Sequence, residues 1–536
     1  MKLISKSDIK NILGKIPLTA EAYWYIRTPG KPLTTEFSLR RLEKLLPTWR
    51  QQAEAALAAR PKAGSQKRIF IFGTLRYWIE HAALLSTALA GQGHNITFSY
   101  LPYARWQRPM DRFNLRRHNL YAYKLLQQLE PLVHIHPLLA IGAAPAQAAT
   151  LPPALDEAVR LVALRDTQYT LQVEEVSQDS DLYRLRLERN LEAAQAALAW
   201  LQKQRPDVVI LPNGTILEFG VLYQVARYLD IPVVTYEFGE QHSRIWIAQN
   251  AEVMRQETND LWQARQDQTL NDEQMAQVRK LFASRQRASL WENFARRWQG
   301  VPSAGGDKVR QALGLDERPV VLLATNVIGD SLTLGRQVFS DSMTDWLKRT
   351  VKFFASRPDV QFVIRIHPGE LITKGPSVAG VVSQVLPELP EHIHLVAADA
   401  QVNTYDIVEI ADLGLVYTTT VGLEMAMSGV PVIVVGNTHY REKGFTLDPA
   451  SWEDYFKTLE QVLADPVRCR LAEAQVGRAW HYAYRFFFDY PHPFPWHLLH
   501  IWKDLEEWPI QRLLSAEGQQ AFGQTFDYLV GAPVRW

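Results

Sequence analysis

Arg365 and His367 stand two residues apart in "VIRIHPGE", where an apolar strand-like run stops at Pro368 and Gly369. Alternation places both side chains on one face of such a strand. A guanidinium there can grip an anion bidentately, and an imidazole can donate to a phosphate or protonate a leaving group. The second cluster is "YTTTVGLEMAMSG", with Thr418, Thr419 and Thr420 between a strand pattern and a short helix pattern that ends at Gly429. A helix start offers backbone N–H groups and partial positive charge. With hydroxyls added, it reads as a phosphate site. The plainer alternative is one capping threonine and two that fill space. Glu424 falls one turn into that helix and is expected to accept from ribose hydroxyls, and Gly422 to let a ligand approach the backbone.

Other polar groups fall at the ends of strand-like runs. "ATNVIGDS" offers Asn326 and Ser331 after the first run of the second half, without the spacing of a dinucleotide or Walker loop. In the first half, "LPNGTILEFG" places Asn213 at a strand end, and "TYEFGEQHSR" supplies Glu237, Glu240 and His242. A carboxylate there can take the proton of an acceptor hydroxyl, so Glu240 and Glu237 are the candidate bases. "FGTLRYWIEH" brings Gly73, Thr74 and Arg76 into the first strand–helix turn, on the expected acceptor side. No D-x-D pair ends a strand, so no metal site is expected. Charge on a leaving phosphate would be met by fixed dipoles, Arg365 and His367.

The elements that must carry these groups alternate strand and helix twice. "KRIFIFG", "NITFSYL", "PDVVILPNG" and "IPVVTYEFG" read as strands of one half. "RPVVLLATN", "VQFVIRIHP", "HIHLVAA", "DLGLVYT" and "PVIVVG" read as strands of the other. The fold class is therefore α/β with two Rossmann-like halves. The expected organisation is a helical segment over 1–66, a Rossmann-like domain with a helical insertion over 67–300, a second Rossmann-like domain over 309–465, and a helical, aromatic-rich tail over 466–536. "QGVPSAGGDK", 299–308, reads as the linker. With 536 residues the chain has room for two or three domains. Lys and Arg total 58 against 57 for Asp and Glu, which gives no electrostatic case for nucleic acid. The single cysteine, Cys469, excludes an internal disulfide. No signal-peptide pattern or membrane span is read, so a cytoplasmic protein is expected, soluble or at the inner face of the membrane.

"RIHPGE" followed by "YTTTVGLEMAMSGVPVIVVG", with "LPNGTILEFGVLYQVARYLDIPVVTYEFG" upstream, resembles the bacterial glycosyltransferases of capsule polysaccharide biosynthesis, which include Kdo transferases. The resemblance implies a GT-B fold, two Rossmann-like domains facing across a cleft with C-terminal helices. It also implies transfer from a CMP-, UDP- or GDP-linked sugar to a glycan or lipid-linked acceptor, without a cofactor. His367 would hold donor phosphate beside Thr418–Thr420, and Glu424 would approach the nucleoside. A CDP-glycerol-type polyol-phosphate transferase, a sugar-nucleotide epimerase and a non-enzymatic assembly protein are the alternatives. The aromatic tail is expected to be a C-terminal helix packing back across both domains, with peripheral docking to a membrane surface or a polymerase partner as the alternative.

Overall fold

The computed structural model describes residues 6–32, 34–59, 66–142, 150–239, 241–287 and 301–536. The chain divides into two compact units, each discontinuous in sequence. The first combines 1–167, 177–254 and 492–535, and the second 168–176, 255–491 and Trp536.

The first unit is built on β1 (Arg68–Thr74), β2 (Asn95–Leu101), β3 (Val133–Pro137), β4 (Val208–Pro212), β5 (Val233–Glu237) and β6 (Arg244–Gln249). Its sheet continues β3-β2-β1-β4-β5-β6 and closes with β12 (His492–Pro493), a strand from late in the chain. The five strands from β3 to β5 run parallel, and β6 and β12 are antiparallel. β4 is buried along its whole length, as expected of a parallel strand covered on both faces. The helices Arg76–Gly91 and Leu217–Tyr228 supply much of that cover, with Leu84, Leu85, Val221 and Leu222 inaccessible to solvent.

The second unit has a five-stranded, wholly parallel sheet. It comprises β7 (Val320–Ala324), β8 (Gln361–Arg365), β9 (Ile393–Val396), β10 (Leu413–Val416) and β11 (Val432–Val434), in the order β9-β8-β7-β10-β11. Val321, Phe362, Ile364, Leu415 and Ile433 form its core with Trp346, Phe354 and Tyr455 from the covering helices. Helix Met343–Ala355 is capped at its start. The Ser342 side chain accepts from the Asp345 amide, and Glu174 accepts from the amides of Met343 and Thr344.

Both sheets thus have the strand order of a dinucleotide-binding fold, and both reverse direction beside their first strand. The α/β class and the two Rossmann-like units agree with the sequence reading. Three strands escaped it: β3, β6 and the two-residue β12. β3, "VHIHP", exposes His134 and half-exposes His136, and β6, "RIWIAQ", alternates buried with half-exposed residues, so neither carries the continuous apolar run of a central strand. Among the described residues, no helix is long and apolar enough to cross a membrane.

Candidate functional site

In the second unit the switch point lies between β7 and β10, and a cavity of about 260 Å³ opens there. Its wall includes Thr325 and Asn326 from the end of β7, Arg365 and His367 from the end of β8, and Thr418, Thr419 and Thr420 from the end of β10. Asp330, Leu332, Thr404, Tyr405 and Arg285 also line it.

The loops are tied to one another. The Asn326 side-chain oxygen accepts from the Thr418 amide at 3.2 Å, and the Thr418 hydroxyl donates to the Leu332 carbonyl at 2.8 Å. The Thr325 hydroxyl accepts from the His367 amide at 2.9 Å. Nδ1 of His367 accepts from the Gly369 amide at 3.0 Å. That bond fixes the tautomer: in the neutral ring the proton sits on Nε2, which is then a donor. Arg365 is held by the carbonyls of Ala397 and Val402 and by the Thr404 hydroxyl. Burial pushes its guanidinium down to about 10, so it is still a cation at neutral pH. Burial raises the Asp330 carboxyl, against the Ser331 amide and hydroxyl that lower it. Ser331 is not in the wall; its hydroxyl donates to Asp330.

Three expectations need correction. The helix after the threonines, Val421–Met427, has seven residues, and Thr420 at its N-cap makes no side-chain cap bond. The amides of Gly422, Leu423 and Glu424 already donate to the carbonyls of Thr419 and Thr420. The donors offered to an anion are therefore chiefly side chains, not the helix start. Secondly, Glu424 is buried and pairs with Arg285 at 2.6 Å, with Tyr405 bonded to both. It anchors the cavity wall from behind and is not placed to take ribose hydroxyls. Burial lowers the Arg285 guanidinium, but Glu424 and Tyr405 outweigh it and hold the group above its ordinary range. Thirdly, a Cβ at Gly422 would lie 2.4 Å from the Tyr440 hydroxyl, which donates to the Thr419 carbonyl. The glycine makes room for that tie, not for a ligand.

In the first unit, Asn213 and Glu237 meet at the ends of β4 and β5. Asn213 has a left-handed backbone (φ 59°), its oxygen accepts from the Thr215 and Ile216 amides, and its Nδ2 donates to Glu237 at 3.2 Å. Burial pushes the Glu237 carboxyl up to about 7, against the Phe238 amide and Asn213. His242 Nε2 lies 2.7 Å from Asp504 Oδ1. Glu240 lies outside the described residues. Gly73, Thr74 and Arg76 do not form an acceptor surface. A Cβ at Gly73 would be 3.2 Å from backbone atoms of Trp78 and Ile79, so this glycine permits close strand–helix packing. The Thr74 hydroxyl is buried on the Leu101 carbonyl, and Arg76 lies 3.6 Å from Glu80.

Arg285, Thr325, Thr404 and Tyr405 went unread in the sequence. Arg285 comes from the polar helix Asp272–Gln286, whose pattern signals nothing but a solvated face. Thr325 was legible in principle, since it directly follows β7.

No protein-family model and no curated protein matches the chain. Among solved structures, the chain is similar to Thermosulfurimonas dismutans KpsC, a β-Kdo 2,4 transferase. The identity is 15% over 54% of this chain and 82% of that one, with a TM-score of 0.34. The UDP-GlcNAc 2-epimerase of Neisseria meningitidis bound to UDP-GlcNAc is 13% identical over 79% and 99%, with a TM-score of 0.26. The calicheamicin glycosyltransferase CalG4 is 14% identical over 80% and 95%, with a TM-score of 0.24. Likenesses of this size carry no argument about substrate or reaction; the chemistry rests on the cavity's own residues.

Proposed function

We propose that the chain is a GT-B glycosyltransferase that moves a sugar from a nucleotide-activated donor to a glycan or glycolipid acceptor in surface polysaccharide synthesis. The observation that carries this reading is the cavity at the β7–β10 switch point, where Arg365, His367 and the threonine turn converge. In doubly wound sheets this crevice is where nucleotides bind. A donor phosphate would sit against His367 Nε2–H and the wall hydroxyls, under the field of Arg365. As the glycosidic bond breaks, negative charge grows on the phosphate oxygens. Donors already in place stabilise that charge without reorganising.

The nucleotide reading is tested by a thermal-shift series with CMP, CDP, UDP and GDP. At a hundred times its Kd the matching nucleotide stabilises the folded state by about 2.7 kcal/mol. The His367→Ala variant is expected to lose most of that shift. If no nucleotide moves the wild type, the non-enzymatic reading is favoured. Turnover of CDP-glycerol, or epimerisation of a nucleotide sugar without an acceptor, would replace glycosyl transfer by those reactions.

Glu237 is proposed as the base that accepts the acceptor's proton, and its raised pKa of about 7 suits that role at neutral pH. The rate of transfer is expected to climb as pH rises towards about 7 and then level off. The Glu237→Gln variant should be nearly inactive yet still bind nucleotide. A variant that keeps wild-type turnover removes Glu237 from the role and leaves Glu240. Stability gives an independent check. Between the ordinary carboxyl value of 4.5 and about 7, the folded state keeps a proton that the unfolded chain has lost. The contribution of Glu237 to stability is therefore present at low pH and is lost as pH rises through this window. The melting temperature of Glu237→Gln relative to wild type should accordingly rise between about pH 5 and pH 8.

A further inference from the structure

Two helices of the first unit, Lys6–Lys15 and Thr19–Arg27, turn apolar residues outward. At about 100° per residue, Ile9, Ile12, Leu13 and Ile16 fall on one side of the first helix and its end. All four are exposed, Ile12 by 56%. Gly14 falls on the opposite side and packs against helix Arg112–Leu126, where a Cβ would stand 2.6 Å from Arg112 Cβ and from the Phe113 amide nitrogen. In the second helix Ala20, Glu21 and Trp24 are buried. Leu18, Ala22, Tyr25 and Ile26 recur at helical spacing on its outer side, with Leu18 64% exposed and Ile26 77%. The Thr19 hydroxyl donates to the carbonyls of Leu13 and Ile16, which ties the turn between the two rows.

A surface helix normally aims such a row at the core, and clustered apolar residues left in water mark a surface that something covers. The aromatic tail is not that surface: Phe486, Tyr490, Phe494 and Trp496 are themselves buried. Charge selects the occupant. From Ile9 to Lys31 the sequence carries the cations Lys10, Lys15, Arg27 and Lys31, and its one carboxylate is Glu21. Glu21 is buried and its charge is met by Arg116. Lys15, Arg27 and Lys31 are exposed. Lys10 and Lys15 flank the apolar row of their helix, one on each side. Two half-buried cations of helix Arg112–Leu126 stand over the tyrosines, Arg117 at 4.8 Å from the Tyr23 ring and Lys124 at 6.0 Å from the Tyr25 ring. Apolar rows flanked by cations, with tyrosines among them, match the acyl boundary and anionic headgroups of a bilayer. A second copy of the chain would instead set these cations against their own kind.

We propose that this helix pair is a docking face for an anionic lipid surface. Ile12, Ile16, Leu18 and Ile26 enter the acyl boundary, and Lys15, Arg27 and Lys31 meet the headgroups. The face lies outside the nucleotide cavity, so the proposal stands apart from the glycosyltransferase reading.

The test is co-sedimentation of the full chain with vesicles of phosphatidylcholine alone, and of phosphatidylcholine and phosphatidylglycerol in equal parts. Wild type is expected to pellet with the mixed vesicles and to bind phosphatidylcholine at least about tenfold more weakly. Each cation near such a surface contributes about fivefold, so Lys15→Gln/Arg27→Gln/Lys31→Gln should lower partition into mixed vesicles about a hundredfold. Ile12→Gln/Ile26→Gln should lower it about tenfold or more. All five side chains are exposed, so melting temperatures should match wild type, and either variant suffices if the other fails to fold. Leu499→Gln removes an exposed leucine of the tail and should bind as wild type does. A loss in Leu499→Gln that spares Ile12→Gln/Ile26→Gln moves docking to the tail and overturns the proposal. So does a wild type that stays in the supernatant or pellets equally with both vesicles, or equal pelleting of wild type and both helix variants. Light scattering without lipid tests the remaining occupant. A wild-type dimer that Ile12→Gln/Ile26→Gln converts to monomer, with no vesicle binding, makes the face a contact between copies and overturns the lipid assignment.

Discussion

Arg285→Leu is expected to destabilise the second unit by about 3–5 kcal/mol, because it leaves a carboxylate buried without its cation. Glu424 is 2% exposed at its side chain and Arg285 7%, so little water is present to screen either charge. The double variant Arg285→Leu/Glu424→Leu removes both charges together and should recover much of the loss. Urea unfolding followed by tryptophan fluorescence measures both, and the coupling is read from the midpoints at unchanged slope. A single variant as stable as wild type would mean that the pair does not hold the wall of the cavity beside β7 and β10.

Gly369→Ala is expected to weaken nucleotide binding about 10- to 100-fold, the equivalent of a lost hydrogen bond to a charged group. A Cβ at Gly369 would stand 2.8 Å from His367 Nδ1 and 3.0 Å from Cε1, so the imidazole must swing away from its present place. The Gly369 amide that sets the tautomer would move with it. Stability should change little by comparison, since the ring can turn towards the half-open cavity. Calorimetric titration with whichever nucleotide stabilises wild type is the measurement. Unchanged affinity would show that His367 does not touch the phosphate.

The sequence exposed the framework of this cavity because β7, β8 and β10 are short, wholly buried and mostly apolar runs, each followed closely by polar residues. Once the strand order brings β7 between β8 and β10, the residues Asn326, His367 and Thr418 have to meet. What spacing along one helix cannot reveal is a partner on another. Glu424 looked like a ligand group because its counter-cation arrives from the helix Asp272–Gln286. Gly422 looked like an opening for a ligand because its space is filled by Tyr440. Local composition reports that a position is small or charged, and only the tertiary neighbour decides what the property serves. The start of helix Val421–Met427 was over-read for a related reason: its amides close on the preceding carbonyls within the same turn.

The first unit's sheet ends on β12, whose His492 and Pro493 pair with Ile245 and Arg244. On a ribosome, β6 is made long before that partner exists. The nascent first half must therefore wait, with one sheet border unpaired, while the whole second unit is synthesised. Unpaired borders recruit other strands, so chaperone demand should be greatest in that interval. A short peptide spanning "YPHPFPW" added during translation would compete for the vacant border and lower the yield of active chains.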